Sequence, residues 1–223
     1  MNNHNEFRFA IAAVDAVIFA FYENQLHVLV RPTETETKVY QGKFSLPGSV
    51  MRPTEEASDT LDRVIKDKTG LSQVYEEQLY TFTAKDRDVR SRAIAIAYLC
   101  CVPPAIVSAH QHRDARFVPL TQVPTLAYDH DVILVTAHKR LASKLLYTTI
   151  AKTLLPKQFT LSELQSVYEG VRREKLDKRN FRKKFLSLGV IEDSGEVQQG
   201  VANRPAALYT FVDKGVTEID PVA

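Results

Sequence analysis

The hydrophobic pattern divides the chain into two regimes. Ala10 to Tyr22, AIAAVDAVIFAFY, is nearly continuous in apolar and β-favouring residues, so the stretch from Phe9 to Tyr22 predicts a long strand. Glu23-Asn24-Gln25 turns the chain, and Leu26 to Arg31 returns as a hairpin partner. Thr33 to Gly42 is polar and reads as loop, followed by a short strand at Phe44-Ser45-Leu46 closed by Pro47-Gly48. Thr54 to Thr69 has helical spacing, with Ala57, Leu61, Val64 and Ile65 on one face and Gly70 as its stop. Strands are predicted at Tyr75–Thr83 and Arg92–Val102, with a shorter strand or edge at Phe117–Leu120. Strands mixed with one amphipathic helix predict a compact α/β domain reaching about residue 128.

Beyond it the period becomes helical. Val132, Ile133, Val135, Ala137, Leu141, Leu145 and Leu146 predict a helix over 131–150 that either bridges two domains or forms a dimer surface. Pro156 breaks the chain. Thr160-Leu161-Ser162-Glu163 is a capping box, with Phe159 and Leu164 placed for a hydrophobic staple. Leu161, Leu164, Tyr168 and Val171 give the following helix its core face. The next helix is capped by Asp177, buries Phe181, Phe185 and Leu188 at i, i+4 and i+7, and stops at Gly189. Val190-Ile191 and Leu208 to Val212 then read as a two-stranded wing. Helix, helix, helix, hairpin is the order of a winged helix-turn-helix. The expected organisation is a sensing domain at 1–130, a linking or dimer helix region at 131–155 and a winged helix at 156–223.

Charge sharpens the second regime. The whole chain carries a formal charge of only +2, yet eight of the fourteen residues from Val171 to Lys184 are Lys or Arg. A solvated basic face has the same composition, but the winged order around it favours nucleic acid. Arg179 and Asn180 are the candidate base readers, because both side chains can engage base edges bidentately. Lys178, Arg182, Lys183, Lys184 and the wing residue Arg204 are candidates for holding phosphates.

The remaining totals exclude more than they assign. The chain has 223 residues, 44% of them hydrophobic, enough for one large or two modest domains. No apolar run approaches the roughly 18 residues of a membrane span, and no signal peptide is visible. Cys100 and Cys101 are adjacent in an apolar strand and read as buried thiols of a reducing cytoplasm. His110-Gln111-His112 has no third ligand nearby and is expected to be an exposed loop.

Gly48 to Leu71, GSVMRPTEEASDTLDRVIKDKTGL, resembles the Nudix box, whose pattern is Gly-x5-Glu-x7-Arg-Glu-apolar-x-Glu-Glu-x-Gly-apolar. Gly48, Glu55, Arg63, Ile65, Asp67, Gly70 and Leu71 match it. One extra residue separates Gly48 from Glu55, Ser49 stands where a second Gly is usual, Val64 replaces the Glu after Arg, and Lys68 replaces the final Glu. Nudix enzymes hydrolyse a nucleoside diphosphate linked to another group, using Mg²⁺ held by carboxylates on one helix face. Mg²⁺ needs oxygen ligands, so the missing carboxylates imply weak or no hydrolysis, with no catalytic residue, metal or cofactor assigned.

The resemblance extends along nearly the whole chain. Asp86-Arg87-Asp88-Val89-Arg90, Tyr128-Asp129-His130, Phe159 to Gln165, Asp177 to Lys183 and Arg204 to Tyr209 are similar to segments of the Nudix-related transcriptional regulators. That resemblance implies an α/β Nudix-like domain with a mixed sheet and helices, followed by a mainly α winged helix-turn-helix. It implies a homodimeric, cytoplasmic repressor that binds palindromic operator DNA, with no membrane association. One branch of the family controls NAD-metabolism genes and responds to ADP-ribose; a sister branch controls sugar catabolism and responds to a pentose such as arabinose. An active ADP-ribose pyrophosphatase is the rival from the enzyme class. A pyrophosphate wants cations and adenine wants an apolar wall. The supply of Arg31, Arg52, Arg63, Arg87, Arg90 and Arg92 favours ADP-ribose over a sugar, with Arg87 and Arg90 foremost. Asp15, in the apolar first strand, orients an Arg, accepts from a ligand hydroxyl or makes a structural hydrogen bond.

Overall fold

The computed structural model describes residues 9–110, 112, 114–200 and 205–221. Strands β1 (Ile11–Tyr22), β2 (Gln25–Pro32), β3 (Phe44–Ser45), β4 (Gly48–Val50), β5 (Tyr75–Phe82), β6 (Ala93–Val102) and β7 (Arg116–Pro119) form one mixed sheet. Its main order is β3-β2-β1-β6-β5, with β4 on β1 and β7 on β2. β1 and β6 are parallel, and the other pairs are antiparallel. The β1–β2 hairpin turns on Glu23 and Asn24, at φ 50° and 58°, the left-handed pair that a tight two-residue turn requires.

The long apolar run of β1 follows from burial on both faces. Val14, Ala16 and Ile18 pack with Leu61, Val64 and Ile65 of helix α1 (Ala57–Thr69). Val17, Phe19 and Phe21 face the opposite way, toward Ile133, Ala137 and Leu141 of helix α3 (His130–Lys144). Each of the Val, Leu, Ile and Phe side chains among these, taken fully out of water, contributes about 1.5–3 kcal/mol. Cys100 and Cys101 are free and buried; burial raises both thiols, Cys101 to about 12, so neither is a ready nucleophile. A short helix α2 (Pro104–Ala109) is not expected from the pattern. His110 and His112 are half-buried, and His110 Nε2 lies 2.8 Å from the Thr69 carbonyl, so this segment is less open than expected.

α3 stops at Lys144, short of the helix anticipated to residue 150. The apolar period continues, but tertiary pairing takes the backbone away. Ile219 N–H donates to the Tyr147 carbonyl at 2.8 Å, and Thr149 N–H donates to Thr217 at 2.9 Å. A 3₁₀ turn at Ile150–Leu154 follows.

The C-terminal portion forms helices α4 (Leu161–Arg172) and α5 (Lys178–Ser187) and the hairpin β8 (Ile191–Val197) and β9 (Ala207–Phe211). β8 runs through Gly195, where the pattern predicts a loop, because a bulge between Asp193 and Val197 absorbs the glycine. Phe159 joins the hairpin as a bridge to Tyr209. The Thr160 capping box closes as its sequence predicts: Thr160 Oγ1 accepts from Glu163 N at 3.1 Å, and Glu163 Oε2 accepts from Thr160 N at 2.7 Å. Tyr168, Phe181 and Phe185 form the aromatic centre, with centroids 4.6 to 5.3 Å apart. α4 docks on the β1–β2 hairpin through Gly170, where an added Cβ would lie 2.4 Å from Phe21 Cε2. Only a bare backbone allows this approach. Among the described residues no helix is long and apolar enough to cross a membrane.

Candidate ligand cavity and nucleic-acid interface

The parallel pairing of β1 with β6 and the antiparallel pairing of β4 with β1 open a cleft of about 630 Å³ at one end of the sheet. Asp15 of β1 lies at its floor. Gly48 stands opposite Asp15 in the β1–β4 register, and a Cβ there would fall 2.1 Å from Asp15 Oδ1. Glycine is therefore what admits the carboxylate. Arg87, buried, reaches Asp129 with Nε at 3.0 Å and Nη2 at 2.7 Å, and Asp15 with Nη2 at 3.3 Å. His130 Nδ1 accepts from the Leu46 N–H at 2.9 Å, so the proton of its neutral ring sits on Nε2, which lies 3.6 Å from Asp15 Oδ1. Burial pushes the Asp15 carboxyl up, but His130 and Arg87 beside it outweigh burial and hold it below the ordinary carboxylate range. The buried charges are paired, as a low-dielectric site requires.

The rim is mixed. Arg90 is clamped by Asp88 (Nη2 to Oδ2 2.7 Å) and its guanidinium carbon lies 5.1 Å from the centre of the Tyr128 ring, a cation–π distance. Tyr128, at φ 59°, also packs on Tyr40 with centroids 4.3 Å apart. Ser45, Ser49 and Ser91 add hydroxyls. Lys68 of α1 faces the cleft and pairs with Glu34 at 3.6 Å.

Three of the seven anticipated ligand residues converge on this cleft: Asp15, Arg87 and Arg90. The other four do not line it. Arg63 spends its donors on the protein, with Nε and Nη2 each 2.7 Å from Glu55 oxygens, Nη1 3.0 Å from Ser49 Oγ and Nη2 3.1 Å from the Val50 carbonyl. Those Arg63 hydrogen bonds, with Arg52 N–H and Thr60 Oγ1 adding theirs, lower Glu55 to about 2. Arg52 extends into solvent, Arg92 donates to the Ala84 and Ala93 carbonyls, and Arg31 is buried behind Glu34 (2.6 Å). Arg87 also differs from the surface pair with Asp86 that its neighbours offer: Asp129 and Asp15 claim it instead.

The donor set does not fit the Mg²⁺ that Nudix chemistry requires. Among the described residues no group of three His, Cys, Asp or Glu side chains could hold a metal ion. Asp15, Asp88 and Glu34, the carboxylates lining the cleft, are each paired with Arg or Lys.

The second surface is the outer face of α5. Asp177 Oδ1 accepts from Asn180 N at 2.8 Å and caps the helix. Phe181 and Phe185 are buried, which leaves Lys178, Arg179, Asn180 and Lys183 exposed and Arg182 and Lys184 half-buried. Arg182 Nη2 lies 3.4 Å from Ser162 Oγ at the start of α4, so the two helices present one polar edge. Arg204 lies outside the described residues. Exposed cations thus lie on one face of α5 and aromatic anchors on the other.

The sequence comparisons place both surfaces in one family. The profile of the NrtR DNA-binding winged helix domain matches residues 151–211. The ADPR responsive transcriptional repressor NtrR of Acinetobacter baylyi is 30% identical over 208 residues, covering 90% of this chain and 82% of its own. The chain belongs to the NrtR family. Shewanella oneidensis NrtR complexed with a 27mer DNA superposes with a TM-score of 0.78 at 28% identity, covering 90% of this chain and 93% of that one. The Nudix domain of Shewanella oneidensis NrtR complexed with ADP ribose matches with a TM-score of 0.50 at 27% identity, covering 62% of this chain and 94% of that one. The mixed sheet of this NrtR-family chain is thus of the Nudix type, and the winged helix follows it.

Within that NrtR frame, Lys68, His130, Tyr128, Glu34 and the three serines line the cleft without having been expected as ligand residues, although Ser49, Lys68, Tyr128 and His130 fall in segments that carry the family resemblance. Lys68 carries a signal, because it replaces a Glu of the box. Ser45 and Ser49 arrive on β3 and β4, and Tyr128 and His130 arrive where the chain bridges Phe44 at Leu126 and enters α3, pairings that local patterns do not encode.

Proposed function

We propose that this chain is a homodimeric transcriptional repressor of NAD-metabolism genes whose Nudix-type domain binds ADP-ribose and hydrolyses it weakly or not at all. The observation that carries the reading is the path between the two surfaces. Arg87, Asp15, Asp129 and His130 form the cleft floor at the start of α3, and two turns later His138 Nε2 donates to the Val171 carbonyl of α4 at 2.8 Å. Burial lowers His138 and favours the neutral ring that this contact uses. A ligand that rearranges the floor therefore acts on the helix on which the recognition helix is mounted. Such coupling is reciprocal: whatever ADP-ribose does to operator affinity, operator does to ADP-ribose affinity.

ADP-ribose suits the cleft chemically. Cations at Lys68 and Arg90 face a pyrophosphate, Tyr128, backed by Tyr40, offers an aromatic wall, and the volume lies in the range of small-ligand sites. The Shewanella structures, one with a 27mer DNA and one with ADP ribose, support the same assignment. Arg179 and Asn180 are the proposed base readers, with Lys178, Arg182, Lys183, Lys184 and Arg204 on the backbone. Residues 131–155 link the two parts. A two-fold dimer would match a palindromic operator with half-sites about 10 base pairs, or a multiple, apart. The low activity is supported by the paired carboxylates and by Lys68. Thermal-shift measurements with ADP-ribose, NAD and arabinose, together with an assay of AMP release in Mg²⁺, test the reading. It requires stabilisation by ADP-ribose with little AMP formed; stabilisation by arabinose alone, or rapid AMP release, would overturn it.

A further inference from the structure

Lys68, Glu34 and Arg31 form a chain of charges that the repressor reading alone does not explain. Lys68 is on the last turn of α1, where a cation is favourable beside the carbonyl end of a helix. That accounts for a lysine but not for its position. Its side chain is 27% exposed, turned to the cleft and 3.6 Å from Glu34 Oε2, while the other Glu34 oxygen is held by Arg31 at 2.6 Å. Glu34 itself is 62% exposed, on the loop after β2, and can leave with little loss of packing. Arg31 is 6% exposed, and its Nε has no hydrogen-bond partner. An anion lying between two cations at a cleft wall resembles a placeholder for the cleft's own anionic ligand. The position matters further because Lys68 stands where the Nudix box has a carboxylate of the metal-binding helix face.

Resting on the reading of the cleft as an ADP-ribose site, we propose that Lys68 is the resident cation for the ligand's diphosphate, and that Glu34 occupies it in the free protein and is exchanged for the diphosphate on binding. The ammonium takes over the charge neutralisation that a divalent ion supplies in a hydrolase. It does so without activating a water. Binding is then independent of Mg²⁺, and the loop carrying Glu34 is released as ligand enters. Burial lowers the Lys68 ammonium's pKa, and Glu34 beside it opposes that shift, so loss of Glu34 is compensated by the incoming anion.

Calorimetric titration of the full chain with ADP-ribose, and separately with inorganic pyrophosphate, in EDTA tests this. Lys68→Met should weaken both ligands by about tenfold or more, as loss of a charge-assisted hydrogen bond does. Lys68→Arg should stay within about threefold of the parent, because the charge is kept. Glu34→Gln should bind about threefold tighter, since the pair of the exposed Glu34 with Lys68 is weak; the Gln side-chain oxygen still accepts from Arg31, and this variant decides the matter if Lys68→Met does not fold. Equal affinities in the parent, Lys68→Met and Glu34→Gln would overturn the assignment, as would binding that requires Mg²⁺. Pyrophosphate bound in a Lys68-dependent way without ADP-ribose would keep this assignment and remove the proposed effector. Binding of neither ligand by the parent would remove both.

Discussion

Replacing Arg87 by Leu removes the cation that Asp15 and Asp129 share at the cleft floor. Arg87 is 4% exposed, Asp15 7% and Asp129 14%, so water cannot take the guanidinium's place. Breaking a buried pair by deleting one partner costs about 3–5 kcal/mol, because a charge is left uncompensated. In a chain of this size each kcal/mol moves Tm by about 2–4 °C, so a fall of roughly 6–20 °C is expected in a differential scan. The pH dependence identifies the cause. His130 and Arg87 together hold Asp15 below its ordinary value; its contribution is therefore present above the unfolded carboxylate pKa and lost as pH falls through the lower folded one. The gap in Tm between parent and variant should hold from pH about 7 to about 4 and narrow only below about 4. A variant melting within about 2 °C of the parent at neutral pH, or a gap that widens on acidification, would refute the account of the floor as a charge-paired unit.

Three further outcomes follow from the same geometry. Gly170→Val places side-chain atoms into the buried Phe21 ring and should cost about 1–3 kcal/mol by overpacking, read as a lower Tm; an unchanged melt would mean that α4 does not rest on the hairpin. Glu55, lowered to about 2 chiefly by Arg63, should stay ionised in the folded protein through the ordinary carboxylate range, so its stabilising contribution is full above the unfolded pKa of about 4 and is lost progressively as pH falls from there to about 2. A carboxyl-carbon NMR titration with a midpoint near the ordinary value would show the pair to be broken in solution. On DNA, Arg179→Ala should weaken specific binding far more than nonspecific binding, whereas Lys183→Ala should weaken both alike and lower the salt slope by about 1; equal losses for Arg179→Ala on operator and scrambled DNA would remove its reading role.

Elements specified by local chemistry are legible in the amino-acid pattern itself. The Thr160 capping box, the Asp177 cap and the Gly189 stop at φ 66° involve residues a few positions apart, and helical phase alone locates the buried Phe181 and Phe185. The β1 run is readable as a strand, although its alternation between α1 and α3 is not, because both faces are apolar. Where partners are distant in sequence, the pattern is silent or misleading. It extends the helix after Asp129 too far because nothing local announces that Thr217 and Ile219 return to pair with Thr149 and Tyr147. Arg63 looks like an available cation when arginines are counted, yet Glu55 eight residues earlier consumes it. Asp15 is conspicuous as a charge in an apolar strand, and Arg87 and His130 against it supply the partners that a buried carboxylate needs. His130 and Tyr128 enter the cleft where the chain pairs with Phe44 through Leu126 and Ala127 and then opens α3.

If the cleft governs the recognition helix, ADP-ribose must release the operator, which is read by fluorescence anisotropy of a labelled operator duplex saturated with this chain and titrated with ADP-ribose, with AMP as the control. Anisotropy is predicted to fall to that of free duplex with ADP-ribose and to stay high with AMP. A complex that remains intact while calorimetry shows ADP-ribose bound would contradict the claim, because occupancy of the cleft would then have no consequence for α5.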